Sequence, residues 1–280
     1  MPGILYTLVD KYYCKYDGDE EVNMDTEKKV INLYETKNQV FNAAVDRIVV
    51  ELFNKREEGF SGQAVLLTGC SPLAGTTSTC ISLAIALANT KRKTLLVDCD
   101  VRKSIQYKKL NKEVNEGLAN YLLEDEETGL AISDIVYETN VDDLYYIPCG
   151  QYYENATRIL CSPKMNKLIQ DAKSRFDCII FDLPSLEIVP DAQVLFGFVD
   201  GIALVTALGE TRKKQIKDAK RKVAPFEVKY YGMIINKVER KVYRMNLKDY
   251  DYYFVNEEGE QKLTAAARRK YRTLSKREGR

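Results

Sequence analysis

Gly75, Thr76, Thr77 and Ser78 stand where an apolar strand gives way to a helix, within "SPLAGTTSTC" (Ser71 to Cys80). "AVLLTG" precedes this stretch and "ISLAIALA" follows it. A phosphate-binding loop has the form G-x-x-x-x-G-K followed by Ser or Thr. Its backbone N–H groups wrap the phosphates, its lysine spans them, and its hydroxyl binds Mg²⁺. Here Gly75 supplies the second glycine and Thr77 takes the hydroxyl position, while Cys70 replaces the first glycine and Thr76 the lysine. Taken alone, the stretch also reads as an ordinary strand–turn–helix.

Two further groups of residues could act with it. In "LLVDCDVRKS", Asp98 and Asp100 end an apolar run and Arg102 follows. Strand alternation would send both carboxylates to one face, where one could act as a base toward a hydroxyl. A capping Asp before a helix is the alternative. In "CIIFDLPSLEIVPDAQ", Asp182 ends a second apolar run. A carboxylate there can hold Mg²⁺ through water. Asn236, in "MIINK", could read an adenine edge or serve as a turn residue.

These residues need a scaffold that brings strand ends together. "QAVLLTG", "KTLLVDCD", "LYYIPCG", "DCIIFDLP", "DGIALVTAL" and "YYGMIINKV" read as strands. Helical spacing appears from Asn38 to Phe53, Thr77 to Asn89, in "EGLANYLLED" and "PKMNKLIQDAKSRF", and from Thr211 to Val223. Strands apolar on both faces, alternating with helices, predict an α/β fold: a parallel sheet covered by helices on both faces. Ligands of such sheets bind at the carboxyl ends of the strands, where the candidate residues fall. The reading divides the chain into a tyrosine-rich segment (1–34), the α/β domain (35–240) and a tyrosine-containing, basic tail (241–280).

Composition removes several functions. Histidine is absent, which excludes Ser-His-Asp and Cys-His sites and the usual zinc sites. The net charge of +1 gives no whole-protein field to attract nucleic acid. Seven scattered cysteines without metal spacing point to free thiols in a reducing cytosol. No apolar run is long enough to span a membrane, and the first residues make a poor signal peptide.

Taken together, the motifs resemble those of the bacterial tyrosine kinases of capsule and exopolysaccharide systems, the BY-kinases, within the P-loop group that includes MinD and ParA. "PLAGTT" fills the family's P-G-E-G-K-Ser/Thr frame. "LLVDCDVR" matches its D-x-D-x-R motif, including Arg102, and "IIFDLP" matches its D-x-P motif, including Pro184. "EGLANYL", "LYYIPCG", "PDAQVLFGFVDGIALVT" and "GMIINKV" follow in the family's order, so the likeness runs from about Gln39 to Tyr253.

The resemblance implies ATP or ADP with Mg²⁺ as ligands. Gly75, Thr77 and Ser78 would line the phosphates, Thr77 and Asp182 would hold the metal, and Asp98 or Asp100 would be the base. Tyr243, Tyr250, Tyr252 and Tyr253 would be autophosphorylation targets, or else plain surface aromatics. It also implies a membrane chain-length determinant as adaptor and a tyrosine phosphatase as a further partner. The expected location is the cytoplasmic face of the cell membrane, reached through the adaptor or the basic tail. The departures concern charge. Thr76 replaces the lysine, and Leu73 and Ala74 replace the loop's glycine and glutamate. The ring-forming E-x-x-R-x-x-R frame reads Gln39, Asn42 and Val45. A pseudokinase or scaffold with weak nucleotide binding is therefore expected, with an active autokinase or a MinD-like ATPase as alternatives.

Overall fold

The computed structural model describes residues 4–8, 30–31, 33, 39–53, 62–103, 116–124 and 129–239. The six predicted strands form the centre of the sheet: β3 (Gln63–Gly69), β4 (Thr94–Asp98), β6 (Leu144–Ile147), β7 (Cys178–Leu183), β8 (Gly201–Ala207) and β9 (Lys229–Val238). Three short strands join them: β1 (Ile4–Leu8), β2 (Val30–Ile31) and β5 (Tyr137–Thr139). The order is β1-β9-β8-β3-β7-β4-β6-β5-β2. Two pieces of the 1–34 segment thus close the two edges of the sheet. Every pairing is parallel except β5 with β6. Those two are joined by a turn too short for a crossover, which forces the antiparallel pairing. Asp143 takes a left-handed φ of 64° in that turn.

Alternate residues of the central strands feed two cores. Val65, Leu67, Leu96, Ile180, Val205 and Ile234 face α1 (Gln39–Phe53) and α2 (Thr76–Asn89). Leu66, Leu95, Val97, Ile179, Phe181 and Leu204 face α6 (Pro163–Arg175) and α8 (Lys213–Val223). Each fully buried side chain of this size contributes about 1.5–3 kcal/mol. Four short helices complete the described elements: α3 (Leu118–Leu123), α4 (Ile132–Ile135), α5 (Ala156–Leu160) and α7 (Asp191–Leu195). Val45, in the place of a family charge on α1, is buried against the α1/α2 core.

The topology sets where a ligand can sit. From β3 the chain crosses to β4, two positions away, and returns to lay β7 between them. It then places β8 on the other side of β3. The order reverses around β3, so the crevice outside its carboxyl end is the switch point of the fold. No helix among the described residues is long and apolar enough to cross a membrane.

Candidate nucleotide site

β3 ends at Gly69, and the loop Cys70–Gly75 leads into α2. Neighbouring strands clamp its base. The Cys70 N–H donates to the Val205 carbonyl (2.8 Å), the Leu186 N–H to the Gly69 carbonyl (3.1 Å), and the Ser71 and Thr211 hydroxyls meet at 2.8 Å. Thr79 ties the first turn of α2 together by donating its hydroxyl and its N–H to the Gly75 carbonyl (2.9 and 3.0 Å). Among the described residues, the N–H groups of Ala74 to Ser78 donate no hydrogen bond. They are the orphan donors at the positive end of the α2 dipole, the feature that binds phosphate.

The backbone keeps a glycine-dependent shape at two loop positions. Gly75 has φ 83° and Leu73 φ 58°. Leu73 is 83% exposed, so packing does not reward its side chain. A left-handed L-residue costs about 1–2 kcal/mol, and glycine's greater unfolded-state entropy returns about 0.5–1 kcal/mol of that. Leu73→Gly is therefore expected to stabilise the protein by up to about 1 kcal/mol in urea unfolding. A clear destabilisation would contradict this account of the loop. Thr77 and Ser78 are exposed at the start of α2, and Thr76 is half-buried. The Thr76 hydroxyl lies against Gly69, 3.0 Å from where a Cβ on that glycine would sit.

Asn236 differs from its expected role at a nucleobase. It is 1% exposed. Its amide nitrogen donates to the Ala74 carbonyl at 2.9 Å and the Gly75 carbonyl at 3.4 Å, and its oxygen accepts the Lys237 N–H at 2.8 Å. A Cβ on Gly75 would stand 2.1 Å from that nitrogen. The last strand thus braces the phosphate loop from behind, and glycine is required at position 75 for space as well as for φ.

Asp98 and Asp182 are register partners on adjacent strands β4 and β7. Each lies two residues beyond a residue facing the α2 side, Leu96 or Ile180, and so shares that face. They are 2% and 4% exposed. Asp98 accepts the Asp100 N–H and the Tyr146 hydroxyl, each at 3.1 Å. Burial and the Asp98 charge push the Tyr146 phenol well above its usual range. Cys80 on α2 hydrogen-bonds Asp182, and burial followed by that carboxylate pushes its thiol well up. Asp100 corrects the expectation of two carboxylates on one strand face. β4 ends at Asp98, and Asp100 sits in the following turn with Lys103 Nζ at 3.1 Å. Pro184 serves through its carbonyl, which accepts the Thr68 hydroxyl at 2.7 Å.

These buried groups make stability sensitive to base. Burial raises the Cys70 thiol to about 12, with Lys220 opposing. The unfolded thiol ionises near pH 9 while the folded one stays neutral, so the unfolded chain binds fewer protons there. Stability is therefore full below about pH 9 and is lost as pH rises toward 12. Cys70→Ala should remove about one proton from that slope in pH-dependent urea unfolding. An unchanged slope would contradict the burial of this thiol.

Arg102 is fully engaged. Its Nε and one terminal nitrogen form a fork on Asp191, at 2.7 and 3.0 Å. It also donates to the Glu154 carbonyl (2.9 Å) and the Thr157 hydroxyl (3.4 Å). Asp191 opens α7, is fully buried, and accepts the Thr157 hydroxyl at 2.5 Å. The sequence reading passed over this residue; its signal is an acid directly after Pro190 in a family-like segment. Lys103 pairs with Asp100, and Lys237 with Glu210 at 2.6 Å. Both of these cations are thus held by carboxylates of their own. Tyr243, Tyr250, Tyr252, Tyr253 and the basic tail lie outside the described residues.

A family described as an AAA domain matches residues 74–196, from the phosphate loop to α7. Tyrosine-protein kinase CpsD of Streptococcus agalactiae is 34% identical over 190 residues, covering 68% of this chain and 81% of that protein. The kinase domain of Escherichia coli tyrosine kinase ETK superposes with a TM-score of 0.64 at 23% identity, covering 72% of this chain and 77% of that one. The septum site-determining protein MinD of Pyrococcus horikoshii, solved with Mg-ADP, shares the fold. Its TM-score is 0.53 at 20% identity, over 64% of this chain and 72% of that one. By its likeness to CpsD, over most of both chains, this chain belongs to the bacterial tyrosine kinase family.

Proposed function

We propose that this chain is a BY-kinase-like scaffold that regulates capsular or exopolysaccharide chain length or export, with impaired or absent tyrosine autokinase activity. The observation that carries the reading is a phosphate loop whose backbone is intact and whose cation is missing. Leu73 and Gly75 hold the left-handed turns, and the N–H groups of Ala74 to Ser78 are free for phosphate among the described residues. Yet Thr76 stands in the lysine's place, and Arg102 is bound to Asp191.

The residues present fit a weakly held Mg-nucleotide. Thr77 and Asp182 offer the oxygen donors that Mg²⁺ prefers, and Asp98 lies beside Asp182. Among the described residues no cluster of three or more His, Cys, Asp or Glu side chains forms a cage. The metal would therefore depend on phosphate oxygens and water. When bound, Mg²⁺ would offset charge on the nucleotide's phosphates. Asp98 would hold its orientation through Tyr146 and the Asp100 N–H. Without the cation, phosphoryl transfer slows on the order of 10³-fold or more. The partner chemistry follows the family: a membrane chain-length determinant as adaptor, a tyrosine phosphatase where Tyr243 and Tyr250 to Tyr253 carry phosphate, and a position at the cytoplasmic face of the membrane.

Hydrogen exchange with and without excess Mg-ADP tests the site. Slower exchange confined to the amides of residues 74–78 and their neighbours is the expected result. No protection at saturating nucleotide would contradict the weakly held Mg-nucleotide, whereas ATP-dependent phosphotyrosine on the purified chain would overturn the scaffold reading itself. The retained Asp98–Asp182 pair favours one second reading, an active autokinase with an unusual loop. That reading requires phosphate on Tyr250 to Tyr253 in cells.

A further inference from the structure

The helix α8 carries charge that its place in the fold does not explain. Lys213, Lys217 and Lys220 recur at i, i+4 and i+7, and Lys214 and Arg221 line the adjoining ridge. All five are exposed. On the opposite side Ile216, Ala219 and Val223 pack into the core. Asp218 is the one acid in the helix and pairs with Arg221 at 2.6 Å. Among the described residues, Lys213, Lys214, Lys217 and Lys220 form no ion pair.

Helix electrostatics accounts for only part of this. Lys220, Arg221 and Lys222 fall in the last turn, where the dipole favours cations. Lys213 and Lys214 open the helix behind Arg212, with no acid in the first turn. They meet the positive end of the dipole and weaken the helix. A choice that works against local stability is expected where function requires it.

The kind of charge indicates the partner. Protein interfaces are enriched in arginine and aromatic side chains and depleted in lysine. The α8 face is lysine-rich and carries no aromatic residue. Compact, strongly hydrated ammonium groups suit a diffuse layer of charge rather than a forked contact. The chain's net charge of +1 gives no general attraction to a polyanion, so the effect is confined to this face. We propose that the exposed face of α8 docks the protein on an anionic lipid bilayer, independently of any nucleotide.

Each lysine near such a surface should strengthen binding about fivefold. The four lysines together would contribute roughly 10²–10³-fold, enough to orient the domain and too little to anchor it permanently. The test is flotation of the full chain with phosphatidylcholine vesicles, with and without phosphatidylglycerol. The wild type should float only with the anionic vesicles and detach as salt rises. Lys213→Gln/Lys214→Gln/Lys217→Gln/Lys220→Gln should lose roughly 10²–10³-fold in affinity with an unchanged circular dichroism melt. The matching fourfold Lys→Arg variant should retain binding. Equal flotation of the wild type and the fourfold Gln variant would overturn the proposal. So would equal binding to neutral vesicles, or tighter binding to duplex DNA than to the anionic vesicles. If the fourfold variant melts early, Lys213→Gln/Lys214→Gln decides in its place, with an expected loss of roughly 30-fold in affinity; unchanged binding would overturn the proposal.

Discussion

Thr76→Lys is expected to raise affinity for Mg-ATP by about 10²–10⁴-fold. A lysine in the first turn of α2 would stand where the orphan N–H groups of Ala74 to Ser78 converge. It would add two charge-assisted hydrogen bonds to phosphate, each worth roughly 1.5–3 kcal/mol. The backbone needs no rearrangement, because Gly75 and Leu73 already hold the turns. The same lysine would lower the stability of the nucleotide-free protein by about 0.3–1 kcal/mol, since it faces the positive end of the α2 dipole. Opposite signs in the two states make the prediction specific. Calorimetric titration with Mg-ATP measures the first effect and a urea melt the second. An affinity unchanged by the substitution would mean that Thr76 does not limit binding.

Arg102→Ala is expected to cost about 3 kcal/mol of stability. Asp191 is fully buried, and the substitution would leave its carboxylate with the Thr157 hydroxyl as its remaining described partner. Breaking a buried pair from one side costs about 3–5 kcal/mol. The low end applies because the Arg102 side chain is 32% exposed and part of the pair is screened. For a domain of this size the melting temperature should fall by roughly 6–12 °C. Arg102→Lys should recover only part of the loss, because an ammonium cannot reproduce the fork on Asp191. The contrary result is equally definite. If Arg102 had moved into the role of the missing lysine, Arg102→Ala would abolish nucleotide binding with little change in melting temperature.

The centre of the fold was legible in the sequence because its strands are buried on both faces. Runs such as "CIIF" and "TLLV" have no polar interruption, and their carboxyl ends then place Asp182 and Asp98 without further information. The edges were not legible. β2 spans two residues and β5 three, too few for alternation to register. β1 lies among tyrosines and charges that mask its period. At the site, residue types showed which carboxylates could act, and distant pairings decided how they act. Arg102 meets Asp191 across 89 residues, Tyr146 meets Asp98 across 48, and Asn236 meets Ala74 across 162. No local pattern encodes such contacts. They change the reading of two residues in particular: Arg102 becomes a strut beneath the site, and Asn236 the back wall of the phosphate loop.

This chain belongs to the tyrosine kinase family, and Thr76 stands in its phosphate loop where the lysine is expected. The most direct measurement is phosphotyrosine on the purified full chain after incubation with Mg-ATP, compared with the Thr76→Lys and Asp98→Asn variants. The wild type should show no ATP-dependent phosphotyrosine above the Asp98→Asn background. ATP-dependent phosphorylation of the wild type that Asp98→Asn abolishes would contradict the account.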